Sequence, residues 1–358
     1  MISSEAIFFS LFIVFIAAML AIDLGIFDRH SHEIKFKEAL TWTVVWVSLA
    51  LGFYVLLLFF GDKIHGLETV ADIQEKIDQY RHNIVIPTDA DFDTAIKIYR
   101  KNLGLEYITG YLVEYMLSVD NVFVMIMIFM SFGTPKKYYK LVLMWGIIGA
   151  VILRFIFIFL SSALIQRFEW VLLIFGAFLV FTGIKMFLDR NKEQKIDTKN
   201  HPIVKFASKY FRIYPVYFSQ HFWFRNKHDN HRIYFTPLFI VLLVIEFSDI
   251  IFAIDSVPAI FSITQDPYIV FFSNIFAILG LRSLFFVLSN VITMFRFLKH
   301  GLSFLLVFIG LKMLFHNWLS EIGFETIHSL YVILGIIGIS IALSLLFPEK
   351  KTSEVKSK

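Results

Sequence analysis

Long runs without charge limit what this chain can fold into before any other feature does. Nine of them approach or exceed the roughly 18–20 residues an α-helix needs to cross the hydrocarbon core of a bilayer. They run at about Ile7–Phe27, Leu40–Phe60, Leu105–Phe132, Tyr138–Ser162, Val171–Leu188, Thr236–Thr264, Tyr268–Asn290, Leu302–Trp318 and Ile327–Phe347. Composition agrees: 58% of the 358 residues are hydrophobic, against about 45–50% in a soluble domain. The mean hydropathy is +0.71. The reading is an all-α polytopic membrane protein of about nine transmembrane helices. The first run has no basic segment before it and no small-residue cleavage site after it, so it reads as a retained helix and not a signal peptide.

Lys and Arg orient the spans, because cytoplasmic loops are enriched in them. With the N-terminus outside, 22 of the 33 Lys and Arg fall in inner loops and the tail, and 7 in outer loops. The organisation that follows has two N-terminal helices in 1–60 and an extracytoplasmic loop in 61–104. A three-helix unit spans 105–188, a basic cytoplasmic loop 189–235 and a second three-helix unit 236–318. A last helix occupies 327–347, and 348–358 is a cytoplasmic tail. The 61–104 loop reads as a small hairpin or surface helix. The 189–235 loop, with its basic residues and aromatics, reads as an anchor for acidic lipid headgroups.

The two three-helix units repeat each other. "SVDNVFVMIMIF" aligns with "AIDSVPAIFSIT", setting Asp120 on Asp255 and Glu114 on Asp249. "ILRFIFIFLSS" aligns with "GLRSLFFVLSN", setting Arg154 on Arg282, and "LVFTGIKMFL" with "LVFIGLKMLF", setting Lys185 on Lys312. Each unit is thus an acidic, an arginine and a lysine helix. An odd number of helices per unit inverts the second copy, a plan common among secondary transporters.

Charges inside the membrane are costly and normally functional. The acids that stand out in the spans are Asp23, Glu114, Asp120, Glu246, Asp249 and Asp255. The bases that stand out are Arg154, Arg282, Lys185 and Lys312. If all are ionised two negative charges remain, which one divalent cation would neutralise. The alternative is a set of structural ion pairs. Small polar neighbours argue for a cation site, since Ser118 and Asn121 in one copy and Ser248 and Ser256 in the other offer neutral oxygens. Oxygen ligands suit Mg, Ca and Mn; the absence of His from the acidic helices weighs against zinc or copper. Arg154 and Arg282 are expected to balance the acids when the site is empty. Lys185 reads as snorkelling near a helix end, and Lys312 as deeper and paired.

Geometry adds expectations. Glu114 and Asp120 are six residues apart, about 120° from a shared face of a regular helix, as are Asp249 and Asp255. Either the helix unwinds between the acids or each serves a different partner. Pro258 offers a break near Ile254. Helical rise and the inverted repeat predict two layers, Glu114 with Asp255 and Asp120 with Asp249. Glu246 would lie deeper, as the first ligand met from the cytoplasm.

"GYLVEYMLSVDNVFV", "WGIIGAVILRFIFIF", "WVLLIFGAFLVFTGIKMF", "TPLFIVLLVIEFSDIIFAIDSVPAIFSIT" and "SNIFAILGLRSLFFVL" resemble the TerC/Alx family of integral membrane proteins. The resemblance runs from about Phe12 to Leu314 and includes "AIDLGIFDR". The family is associated by name with tellurium resistance and is grouped with LysE-type exporters. The resemblance implies export of divalent metal, chiefly Mn²⁺, and supply of metal to exported proteins. It carries Glu114, Asp120, Asn121, Glu246, Asp249 and Asp255 as metal-pathway candidates. Tyr115 stands where the family often has Lys, and the loop around Gly66–Lys101 is longer than usual.

Three readings compete: a proton-coupled Mn²⁺ exporter, a transporter of Ca²⁺ or another divalent cation, and a membrane adaptor that docks secretory machinery or exported metalloproteins. The metal is cargo in the first two, with no permanently bound cofactor. An enzyme is disfavoured because H-E-x-x-H, nucleophile-elbow and phosphate-loop motifs are lacking. With no cysteine, thiol chemistry and iron–sulfur clusters are excluded. No nucleic-acid partner is expected; the expected location is a bacterial inner membrane.

Overall fold

The computed structural model describes residues 4–23, 36–82, 84–168, 170–189, 201–214, 216–217, 221–226, 232–291 and 297–347. The described chain is almost wholly helical. In order it forms α1 (Ser4–Asp23), α2 (Phe36–Phe60), α3 (Asp62–His65), α4 (Val70–Tyr80), α5 (Phe92–Ser131), α6 (Tyr139–Arg167), α7 (Trp170–Asp189) and α8 (Pro202–Tyr210). A hairpin of β1 (Trp223–Asn226) and β2 (Arg232–Phe235) precedes α9 (Pro237–Phe261), α10 (Pro267–Leu279), α11 (Leu281–Val291), α12 (Leu298–Leu314), α13 (His316–Glu321) and α14 (Thr326–Leu346).

Six of these helices are long and apolar enough to cross a membrane: α2, α5, α6, α7, α9 and α14. The α10–α11 pair, bent by 40°, passes the same test of length and composition when its two helices are taken together. Two shorter apolar helices cover Ala6–Ile22 and His300–Leu314.

Local chemistry sets the boundaries. Thr69 and Asp72 start α4 with a reciprocal capping box, Asp72 N–H on the Thr69 hydroxyl at 3.1 Å and Thr69 N–H on the Asp72 carboxylate at 2.8 Å. Asp91 caps α5 by accepting from Thr94 N–H. Pro237 and Pro267 occupy first-turn positions of α9 and α10, where the missing N–H costs nothing. Gly133 follows α5 at φ +57°, which a side chain rarely tolerates. The surface helix expected in the 61–104 loop is α4. The third span begins earlier than Leu105, because α5 runs 40 residues from Phe92 and rises out of that loop.

Pro258 does not break its helix. α9 is continuous through it, and Ser262 N–H still reaches the Pro258 carbonyl at 3.1 Å. The expected unwinding near Ile254 is therefore corrected. Pro258 itself lies one turn from the helix end at Phe261, and the Ile254 carbonyl it leaves without its i+4 donor lies about two turns from that end. The interruption falls instead at Gly280, between α10 and α11.

Packing is centred on α5, the most enclosed of the long spans. It touches α2, α9, α10 and α14. Helices that the sequence alignment pairs are in contact: α5 packs on α9, α6 on α10, and α7 on α12. The last pair is very close. A Cβ added at Gly310 would lie 2.7 Å from the Gly176 carbonyl and 2.8 Å from Val180 N, so small residues set the separation. Phe12, Phe53, Phe272 and Phe276 interlock α1, α2 and α10, with Phe12 and Phe272 centroids 4.4 Å apart.

Candidate functional site

Two carboxylates meet one guanidinium in the middle of this packing. Glu114 of α5 is 0% exposed, Arg154 of α6 0% and Asp249 of α9 2%. Arg154 Nη1 donates to Glu114 Oε1 at 2.6 Å, to Ser256 Oγ at 2.6 Å and to Asn274 Oδ1 at 3.2 Å. Asn274 Nδ2 donates to Glu114 Oε2 at 3.1 Å. Asp249 Oδ2 lies 3.8 Å from Arg154 Nε, too far for a hydrogen bond, and neither atom has a hydrogen-bond partner among the described residues. A buried carboxylate oxygen without a hydrogen bond is rare and calls for an explanation.

Each helix brings its acid there for a simple reason. α5 and α9 are the acidic helices of the two units, and their mutual packing places their polar stripes together. Ser256 lies seven residues after Asp249, two helical turns, and so on the same face. α10 adds Asn274, fully buried beside Ser273, a residue the sequence reading passed over. The polar Ser-Asn pair inside an apolar helix was the signal that could have found it.

The second acid of each helix serves a different partner. Asp255 is half-buried on the neighbouring face of α9, beside Thr182, and lies within electrostatic reach of Asp120 and Lys185. Asp120 is half-buried too, and Ser118 and Asn121 are buried beside it in sequence. Glu246 is half-buried one turn before Asp249 on α9 and within its electrostatic reach. Its carboxylate occupies the space left by Gly149, where a Cβ would collide with it. Ser248 turns its hydroxyl back to the Val244 carbonyl at 2.8 Å.

The layers expected from helical rise are therefore redrawn. Glu114 joins Asp249 through Arg154 instead, and Asp120 lies within electrostatic reach of Asp255. Depth alone had set Glu114 level with Asp255, and Ser256, the next residue, does touch the Glu114–Arg154 pair. The side chain of Asp255 leaves in another direction, and the reach of Arg154 connects Glu114 to Asp249 instead. Among the described residues no three acids or histidines converge closely enough to hold a metal. A guanidinium stands between the carboxylates.

The remaining bases separate. Arg282, 5% exposed, lines a cavity of about 10 Å³ together with Asp249. Lys185 is exposed and reaches toward Asp255. Lys312 does not join the acids. It lies two residues from the end of α12, because that helix stops at Leu314, short of the Trp318 expected for the span. The side chain of Asp23, the last residue of α1, lies outside the described residues.

A second buried polar cluster, not anticipated from sequence, joins α3, α5 and the α9–α10 turn. His65 Nε2 and Asp266 Oδ2 are 2.9 Å apart, as are His82 Nδ1 and Glu106 Oε1. Asn102 and Thr264 both donate to Glu106 at 2.7 Å. Burial pushes Asp266 up, but the His65 charge and hydrogen bond, the His82 charge and the Tyr268 N–H outweigh it and hold the carboxyl below its usual range. Burial lowers His82, but the charge and hydrogen bond of Glu106 win and raise it.

The geometry now stands beside what the chain resembles. The TerC family model of integral membrane proteins matches residues 99–352, which include both acidic helices and both arginines. The chain belongs to the TerC family. An uncharacterized membrane protein of Myxococcus xanthus is 42% identical over 336 residues, 94% of this chain and 91% of the relative. A protein of Escherichia coli K12 named as a membrane-bound redox modulator, Alx, is 42% identical over 304 residues, covering 85% and 84%. A membrane protein of Rickettsia felis is 37% identical over 310 residues, covering 87% and 89%. No solved structure matches this TerC protein.

Proposed function

We propose that this TerC protein is a divalent metal exporter that moves Mn²⁺ outward through its intramembrane carboxylates, in exchange for protons. The observation that carries the reading is the Arg154 bridge. Glu114, Asp249, Ser256 and Asn274 form an oxygen-rich cluster whose occupant is a tethered cation, with one Asp249 oxygen left without a hydrogen bond. Such a cluster is built to balance positive charge in an apolar core. Carboxylate, hydroxyl and amide oxygens suit a hard cation, and Mn²⁺ fits the family's implied role.

In this reading the chain crosses a bacterial inner membrane nine times, N-terminus outside and C-terminus inside. The two short apolar helices and the bent pair complete the count. The units 105–188 and 236–318 form an inverted repeat, supported by the pairing of equivalent helices. Glu246 receives the ion from the cytoplasmic side. Withdrawal of Arg154 toward one carboxylate opens the other to the ion, and Asp120 with Asp255 forms a second station. Protons compete with the ion for each carboxylate, which couples metal release to proton uptake. The lack of cysteine keeps thiol redox chemistry out of this chain, whatever the name of the E. coli relative denotes.

The test is flux into vesicles containing only this protein, compared across Mn²⁺, Ca²⁺, Mg²⁺ and Zn²⁺. Saturable Mn²⁺ flux that needs Asp249 is the expected result. Absence of flux for all four ions, with folded protein, would leave the adaptor reading in its place.

A further inference from the structure

Asp249 stands between two arginines. On one side is Arg154, whose Nε lies 3.8 Å from Asp249 Oδ2. On the other is a cavity of about 10 Å³, which Asp249 lines together with Arg282. That volume is about the size of one water molecule. Every other residue on its wall is apolar, from Met125 of α5 to Leu281 of α11. Asp249 and Arg282 are both buried.

Helical spacing shows that the two arginines approach from opposite ends of the bundle. On α6 the cavity is lined by Gly146 and Ala150, which precede Arg154 on the same face. On α9 it is lined by Ile245, one turn before Asp249, whereas Ser256, which Arg154 touches, lies two turns after. On α5 it is lined by Met125, three turns after Glu114. Asn274 touches Glu114 and Arg154, and Arg282 follows it along the chain, past the break at Gly280. All four comparisons displace the cavity in one direction from the Arg154 bridge. Small residues on α6 leave the gap, and opposite charges across an apolar gap attract more strongly than across water. Asp249 Oδ2, without a hydrogen bond among the described residues, is an acceptor for either guanidinium. The internal repeat sets Arg282 on Arg154.

We propose that Asp249 passes between the two guanidinium groups: Arg154 is its neighbour in the arrangement seen here, and Arg282 closes the cavity and takes the carboxylate when Arg154 is drawn wholly to Glu114. Units related by an inverted repeat exchange roles between the two states of a transporter, and Arg282 is then the counterpart of Arg154 in the other state. The consequence for transport rests on the exporter reading above. In that reading Arg282 lies on the cytoplasmic side of Asp249, neutralises it once the ion has moved outward, and opposes the ion's return.

Melting of the full-length, detergent-solubilised protein tests the exchange without reference to transport. Arg154→Gln, Arg282→Gln and the double variant are compared, each with Asp249 intact and with Asp249→Asn. Arg282→Gln should lower the melting temperature more in the Arg154→Gln background than in wild type, because Asp249 then loses its second counter-charge. Asp249→Asn should abolish that extra drop, and Arg282→Lys should recover most of it. Additive losses, or an extra drop that persists with Asp249→Asn, would overturn the proposal. If the double variant does not fold, recovery of folded protein on adding Asp249→Asn is the expected result, and no recovery counts against the exchange. Mn²⁺ flux in vesicles supplies the second readout. Arg282→Gln should reduce it at least about tenfold and Arg282→Lys should recover most of it. Wild-type flux in folded Arg282→Gln would sink the exchange and leave the exporter reading standing. No flux in wild type would instead remove the exporter reading, and the melting comparison would still decide the pairing.

Discussion

Arg154 Nη1 and Glu114 Oε1 are 2.6 Å apart in a part of the bundle from which both residues are fully withdrawn from solvent. On its other side the same guanidinium is 3.8 Å from Asp249. One cation therefore holds two acids, one from α5 and one from α9. Removing one partner of a buried pair costs about 3–5 kcal/mol, because the other charge stays buried without compensation. Arg154→Gln should lower the melting temperature of the detergent-solubilised protein substantially. Millimolar Mn²⁺ should restore more of that loss in the variant than it adds in wild type, since the ion takes over the vacated position. Equal effects of Mn²⁺ on both proteins would remove the tethered-cation reading.

Asp255 and Asp120 are half-buried and take no part in the Arg154 bridge. Asp255→Asn and Asp120→Asn should therefore leave the Arg154 bridge in place while strongly reducing Mn²⁺ flux in vesicles. Flux at the wild-type rate in the double variant would show that the second station does not exist.

Two glycines test packing directly. Gly149→Ala places a methyl in the volume of the Glu246 carboxylate, and Gly310→Ala pushes α12 off the α7 backbone. Overpacking of this kind costs about 1–3 kcal/mol. Gly52→Ala is the control, because nothing lies within 4 Å of the added carbon. Melting curves should rank Gly310→Ala well below Gly52→Ala. Gly149→Ala should also impair flux, because Glu246 has to move.

The histidine–carboxylate cluster near α3 gives the protein a defined pH response. The carboxyl of Asp266 is held below its ordinary 3.8, so its contribution is present above that pH and is lost as pH falls through the folded-state value. His82 is held above its ordinary 6.5, so its contribution is complete below that pH and is lost as pH rises through the folded-state value. Hydrogen exchange in α4 and the 81–92 segment should accelerate as pH is raised from 6 to 9, after correction for the intrinsic rate. His82→Asn should abolish that alkaline loosening. Equal alkaline acceleration in the variant would place its origin elsewhere.

Flux should also depend on pH. Protons compete with Mn²⁺ for the carboxylates, so metal transport should fall as pH drops. Vesicle flux that is constant over pH 5.5–8, with no proton counterflow, would rule out coupling through these groups.

How far the sequence could be read differs from residue to residue. Long apolar runs dictate helices because the backbone has no other way to satisfy its polar groups in lipid. That constraint is local, so the all-α membrane class could be read without coordinates. Glu114, Asp249 and Arg154 also stood out, because an isolated charge in such a run is expensive wherever it points. Asn274 and Thr182 did not stand out, being neutral and modest in cost. The continuity of α9 through Pro258 was not legible either, since it depends on how close the helix end is.

The sequence by itself determined the helices, the repeated pattern of acidic, arginine and lysine segments, and the shortlist of buried charges. Only the tertiary structure decided which charge meets which. Helical rise gives a residue's depth, but partner choice depends on the rotation of each helix and the length of the side chain. Arg154 spans from Glu114 to Asp249 because a guanidinium reaches across the space between α5 and α9. Lys312 follows the opposite course: α12 ends two residues after it, and its side chain lines a separate cavity beside Thr264 and His316 instead of joining Asp249.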